Sequence, residues 1–91
     1  MELELGQQNV VVVGAAQGIG LAIAEAFIDE HANVALWDLK PSVQDVARQL
    51  DQNSNATVCG LLADVTSAES VAAATAASIE KLGSIQHLVY A

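Results

Sequence analysis

The sequence predicts an α/β fold: an open parallel sheet in a βαβαβαβ series, with helices on both faces. Three observations lead there. Short β-branched runs alternate with segments whose apolar residues recur at helical spacing. A glycine-rich turn joins the first run to the first helical segment. Acids stand at the ends of the second and third runs, Asp38 and Asp64. Strands that alternate with helices run parallel through right-handed crossovers, which places helices on the two faces.

The first strand is Asn9-Val10-Val11-Val12-Val13, ended by Gly14. It does not alternate with polar residues, so it reads as buried on both faces. From residue 18 to about 30 the period changes. Leu21, Ala24, Phe27 and Ile28 fall on one helical face, Glu25 and Asp29 on the other, and His31 stands where this helix ends. Residues 33–37 form the second strand, closed by Asp38. Pro41-Ser42 suits a helix start with Ser42 as N-cap, and Val43, Val46, Ala47 and Leu50 mark an amphipathic helix to about Asp51. The polar stretch 52–55 is a turn. The third strand spans 56–63 and is weakened by Gly60. Ser67 caps a third helix that runs to about Leu82, with Glu69 favourably placed in its first turn and Gly83 as its stop. The fourth strand is 85–90.

Length and charge narrow the function. Residues 1–91 make one domain with a thin core, carrying 11 acids against 3 bases and a net charge of -8. Lys40, Arg48 and Lys81 are too few and too scattered to bind nucleic acid or an anionic membrane surface. Seventeen alanines inflate the hydrophobic fraction of 53%, and no apolar run is long enough to span a bilayer. The start, Met1-Glu2-Leu3-Glu4, is acidic and unlike a signal peptide, and Cys59 has no partner for a disulfide. The expected compartment is the cytoplasm.

The chemistry concentrates in Gly14-Ala15-Ala16-Gln17-Gly18-Ile19-Gly20, between the first strand and first helix. The spacing is G-x3-G-x-G rather than G-x-G-x-x-G, but the logic is shared. Gly14 lets the chain leave the strand sharply, Gly18 clears space for a pyrophosphate, and Gly20 lets the helix pack close to the sheet. The N–H groups and dipole at the helix start favour a diphosphate. Asp38 lies 18 residues beyond Gly20, at the end of strand two. A carboxylate there accepts from the two ribose hydroxyls of an adenosine and repels a 2′-phosphate. With no Arg or Lys in the loop, where Gln17 stands, this favours NAD over NADP. Asp64 and Val65 fall on the same carboxyl edge, where Asp64 can accept from an adenine amino group and the Val65 N–H can donate to the ring.

With these residues in place, the chain resembles the N-terminal, cofactor-binding part of a short-chain dehydrogenase/reductase. Gly14-x3-Gly18-Ile19-Gly20, Asp38 and Asp64-Val65 match that family in identity and spacing, and the likeness runs from about Leu5 to Ala91. It implies a Rossmann-type half-unit with strand order 3-2-1-4, phosphates and adjacent ribose at Gly14, Gln17, Gly18, Ile19 and Gly20, and hydride transfer between NAD(H) and an alcohol/ketone pair. It also implies a small-molecule substrate and a homo-oligomeric parent. Val13 stands where the family usually has Thr or Ser. Tyr90 replaces the first Asn of the family's strand-four motif, and Ala91 is an accepted variant of the second; both belong to the implied cofactor site. The family's catalytic Ser and Tyr-x3-Lys fall beyond strand four, and Tyr90, Lys40 and Lys81 do not supply that spacing. This segment is therefore expected to bind dinucleotide without catalytic residues of its own, with strand four at an open sheet edge and marginal stability in isolation. A non-catalytic nucleotide-binding or sensor module on the same fold is the alternative, and a flavodoxin-like domain with order 2-1-3-4-5 is a third.

Other reactive residues read as structural. His31 and His87 have no metal-binding partners in sequence, and no zinc spacing exists. Trp37 packs in or beside the sheet, Cys59 is an inert strand residue, and Ser67, Ser70 and Ser78 are caps or helix surface.

Overall fold

A computed structural model describes residues 8–91; the acidic start and Leu5, where the resemblance begins, lie outside the described residues. The elements are β1 (Asn9–Val13), α1 (Gly18–Asp29), β2 (Asn33–Asp38), α2 (Ser42–Gln52), β3 (Val58–Leu62), α3 (Ala68–Leu82) and β4 (His87–Tyr90). The strands pair in parallel in the order β3-β2-β1-β4, which excludes the flavodoxin-like order.

The valine run of β1 is buried along its whole length because it has neighbours on every side. Val10 and Val12 pack with Val34 and Leu36 of β2 against Ala24 and Ile28 of α1 and Val43 and Ala47 of α2. Val11 and Val13 point the other way, with Ala35 and Trp37, onto Ala74, Val71 and Leu82 of α3. Two thin apolar layers thus share one sheet, and alanine at the helix faces lets each helix lie close to it.

At the amino ends of the strands, Asn9 is 6% exposed and fully engaged. Its amide donates to the Leu82 carbonyl and the Ser84 hydroxyl, at 3.1 and 2.9 Å, and its oxygen accepts from Asn33 at 3.0 Å. Asn33 in turn accepts from the Thr57 N–H at 2.9 Å. This polar network ties β1, β2 and the approach to β3 to the turn after α3, at the end of the sheet opposite the glycine loop.

Several local expectations are corrected. Ser42 is the first residue of α2, not its cap: the preceding Pro41 already has helical angles, and the Val43 N–H donates to the Lys40 carbonyl at 3.0 Å. Ser78 is not helix surface. It is fully buried, accepts from the Trp37 indole N–H at 3.0 Å and donates to the Ala74 carbonyl at 2.8 Å. The third and fourth strands are shorter than expected, Val58–Leu62 and His87–Tyr90, and Ile85, ahead of β4, packs against the layer beneath α3. Gly60 is a point of close approach: a Cβ there would lie 2.5 Å from the Val43 carbonyl oxygen and 2.9 Å from the Ala47 Cβ. Replacing Gly60 by Ala should lower stability by about 1–3 kcal/mol through overpacking of α2 on β3, read as a lower urea midpoint.

His31 ends α1 in a left-handed conformation, φ 70°. Its N–H donates to the Ile28 carbonyl at 2.9 Å and the Ala32 N–H to the Phe27 carbonyl at 3.0 Å, the paired bonds of a Schellman ending that ordinarily takes glycine. His31→Gly should therefore raise the urea midpoint, by about 0.5–1 kcal/mol after the flexibility of glycine in the unfolded chain is subtracted.

Candidate functional site

Parallel pairing brings the carboxyl ends of all four strands to one edge, and the register sets Val13 of β1 beside Trp37 of β2 and Tyr90 of β4. The glycine loop leaves β1 there. Gly14 and Gly18 have φ of +80° and +63°, values that side chains resist, and this lets the loop reverse direction twice within five residues. Its first three amides are held by β2. The Gly14 and Ala15 N–H groups donate to the Trp37 carbonyl at 2.8 and 3.2 Å, and the Ala16 N–H donates to Asp38 Oδ2 at 2.9 Å. Asp38 Oδ1 accepts from the Lys40 N–H at 3.0 Å.

The next residues are open. Gln17 is extended at the start of α1 and makes no side-chain capping bond, and the first turn of α1 carries no acid. By contrast, the Ser67 hydroxyl caps α3 by accepting from the Ser70 N–H at 3.2 Å. Nothing lies within 4 Å of where a Gly18 Cβ would sit, so that position faces free space. Gly20 lets α1 approach the end of β1 closely: a Cβ there would strike the carbonyl of Gly14, the residue that directly follows the strand.

The other site residues gather around this loop. The Ala63 N–H donates to the Asp38 carbonyl at 3.0 Å, which brings the end of β3, and with it Asp64, alongside the end of β2. Asp64 Oδ1 accepts from the Thr66 hydroxyl at 2.6 Å and the Thr66 N–H at 2.9 Å, while its own N–H donates to the Ser70 hydroxyl at 2.8 Å. Oδ2 remains available. Val65 beside it is exposed. Ala91 closes the other side: its N–H donates to the Val13 carbonyl at 3.1 Å, and a Cβ at Gly14 would lie 3.6 Å from the Ala91 carbonyl oxygen. Tyr90 stands apart. Its side chain, 65% exposed, lines an apolar groove of about 320 Å³ on the α3 face with Val11, Trp37, Val71 and Leu88.

Sequence reasoning missed Leu39. It follows Asp38 directly and is 68% exposed, and Ile19 and Val65 at this edge are bare as well. The signal was present: an apolar residue immediately after a strand-ending acid has no strand or helix face to bury it. Among the described residues, no three His, Cys, Asp or Glu side chains come together to hold a metal ion. Burial pushes the Cys59 thiol up, with Lys81 opposing and Asp51 adding, so it stays protonated and unreactive.

The family profile described as short chain dehydrogenase matches residues 8–91. The chain belongs to the short-chain dehydrogenase family. It is 35% identical over 98% of its length to 2-(S)-hydroxypropyl-CoM dehydrogenase 3 of Xanthobacter autotrophicus, covering 35% of that protein. It is 44% identical over 77% of its length to the NAD-dependent glycerol dehydrogenase of Listeria innocua, covering 26% of that protein. Among solved structures, a short chain dehydrogenase from Mycobacterium smegmatis superposes with TM-score 0.87 at 32% identity, over 96% of this chain and 36% of the other. A family member from Burkholderia phymatum in complex with NAD gives TM-score 0.86 at 26% identity, over 96% of this chain and 31% of the other. The chain thus spans about a third of the length of the relatives it matches.

The Thr66 hydroxyl first, and then the Thr66 N–H, hold the Asp64 carboxyl below the usual carboxylate range. The sign follows. A lowered folded-state value contributes stability that is present above the ordinary Asp range, about pH 4, and lost as pH falls through the folded value. Thr66→Val keeps the N–H and removes the hydroxyl. The Asp64 titration, followed by its carboxyl 13C shift, should move up in this variant, and the stability lost on acidification below about pH 4 should shrink and be complete at a higher pH than in the wild type.

Proposed function

We propose that this chain binds the adenosine and diphosphate of NAD, as the cofactor half of an oxidoreductase that moves hydride between NAD(H) and an alcohol/ketone pair. One observation carries the reading: the uncapped start of α1 follows directly on Ala16, whose N–H is held by the Asp38 carboxylate, and a Cβ at Gly18 would meet no protein atom within 4 Å. Amides at a helix start suit a diphosphate, and a carboxylate at the end of the second strand suits a ribose diol.

The loop N–H groups from Gln17 to Gly20 are the proposed phosphate donors. Asp38 is the ribose acceptor, and its charge disfavours a 2′-phosphate. The Asp64 Oδ2 atom and the Val65 N–H are the proposed partners of the adenine edge, and the exposed side chains of Leu39 and Val65 are its proposed apolar walls, a reading that their exposure supports. Ala91 shapes the side of the site next to Gly14. Tyr90 is withdrawn from the proposal as a side-chain contact, since it faces the apolar groove. When bound, the nicotinamide supplies the hydride chemistry, and the chain described here contributes binding and orientation. The residues that handle the proton are proposed to follow β4 in the polypeptide. The alcohol class is supported by relatives named for glycerol and sorbitol.

Calorimetric titration with NAD and NADP tests this directly. The expected result is preference for NAD. Asp38→Ala should weaken NAD by about tenfold or more, the scale of hydrogen bonds to a charged group, and narrow the gap to NADP. Unchanged affinity for both cofactors in that variant refutes the assignment of Asp38.

A further inference from the structure

The Asp38 carboxylate is engaged in the structure before any ligand arrives. Oδ2 accepts from the Ala16 N–H at 2.9 Å and Oδ1 from the Lys40 N–H at 3.0 Å. Ala16 belongs to the glycine loop, 22 residues earlier in the chain, and is itself buried. Each carboxylate oxygen has two acceptor positions, so one on each remains. The neighbouring loop amides, Gly14 and Ala15, are held by the Trp37 carbonyl, which makes Asp38 the side chain that extends this grip one residue further toward the open amides.

We propose that Asp38 is a positioning residue for the diphosphate loop as well as an acceptor for ribose. This rests on the nucleotide reading above and deepens it. Its carboxylate fixes the third loop amide, and so sets the direction in which the chain enters Gln17 and Gly18. The same two backbone bonds lock the carboxylate rotamer, so it meets the ribose already oriented. The two functions use different lone pairs and operate together. Diphosphate affinity therefore depends on Asp38 even for a ligand that has no ribose diol.

The test compares ADP with 2′,3′-dideoxy-ADP, in the full-length protein and its Asp38→Asn variant. Asparagine keeps one acceptor oxygen and turns an NH₂ group toward one of the two backbone donors. Both ligands should lose affinity by about tenfold or more, the scale of a hydrogen bond to a charged group. In the unliganded variant the Ala16 amide should exchange at least several-fold faster, with the Val11 and Val12 core amides unchanged. A loss for ADP alone, with Ala16 exchange unaltered, overturns the positioning role and leaves Asp38 a ribose contact. Wild-type protein that binds neither ligand defeats the nucleotide reading instead, and Ala16 exchange still judges the loop contact. If the variant does not fold, NMR through-bond coupling between the Ala16 nitrogen and the Asp38 carboxyl carbon decides in the wild type. Its persistence in the ADP complex supports the dual role, and its loss on ADP binding overturns it.

Discussion

The bonds between the glycine loop and the end of β2 are the constraint on which the site depends. In a parallel pair the register fixes which residue of one strand stands beside the end of the other, and here Val13 stands beside Trp37. The Trp37 carbonyl, with no further strand residue of β1 to accept from, takes two loop amides. That contact converts a strand pairing into a loop conformation. The positive φ of Gly14, the collision that forbids a side chain at Gly20, and the uncapped start of α1 are consequences of the same tight return. The Ala63 N–H does for β3 what the loop amides do for β1, so the ends of three strands are joined through the main chain of Trp37 and Asp38.

Such an edge needs a rigid support, and the two cores supply it by different means. On the α1/α2 face the buried side chains are aliphatic, with Phe27 packed against them from α1, and Gly60 brings the α2 backbone almost into contact with β3. On the α3 face the large Trp37 ring sits among alanines and valines, and its indole N–H would be an unpaired donor without Ser78. A buried donor with no acceptor costs roughly 1–3 kcal/mol, so that serine is part of the core in the same sense as its apolar neighbours. Trp37 thus links the α3 layer, through its ring, to the loop, through its carbonyl.

The elements were legible where the physical signal is local. A run of valines, a shift to helical spacing and a serine before a helix each depend on near neighbours, and β1, α1 and the Ser67 cap stand where the pattern put them. Asp38 stands out in sequence as a proposed site residue because its type and its place at a strand end say the same thing. Its bond to Ala16 does not, because that depends on how two strands align. Ser78 was misread because polar residues usually occupy the outer face of a helix, and the tryptophan that requires it lies 41 residues away. Gly60 was misread as a weakness because a missing side chain looks like lost packing until the helix that needs the space is in view. Tyr90 shares this limitation: its place in the groove belongs to the assembled sheet, not to its neighbours in sequence.

The charge of the chain bears on the proposed diphosphate site in a way that composition alone obscures. A net charge of -8 argues against nucleic acid because a polyanion must be neutralised over many phosphates by clustered cations. A single diphosphate makes a smaller demand. Backbone amides at a helix start carry partial positive charge that acts within one turn, and they require no Lys or Arg. Acids elsewhere are attenuated by salt over about 8–10 Å, so their position matters more than their number. The first turn of α1 carries none of them. Among the described residues the carboxylate that reaches the loop, Asp38, meets two N–H donors, which offset its field at the loop and leave further lone pairs for the proposed ribose contact. The proposed diphosphate loop is therefore consistent with the acidity of the chain: the proposed donors are main chain, and the Asp38 carboxylate beside them is held by main chain as well.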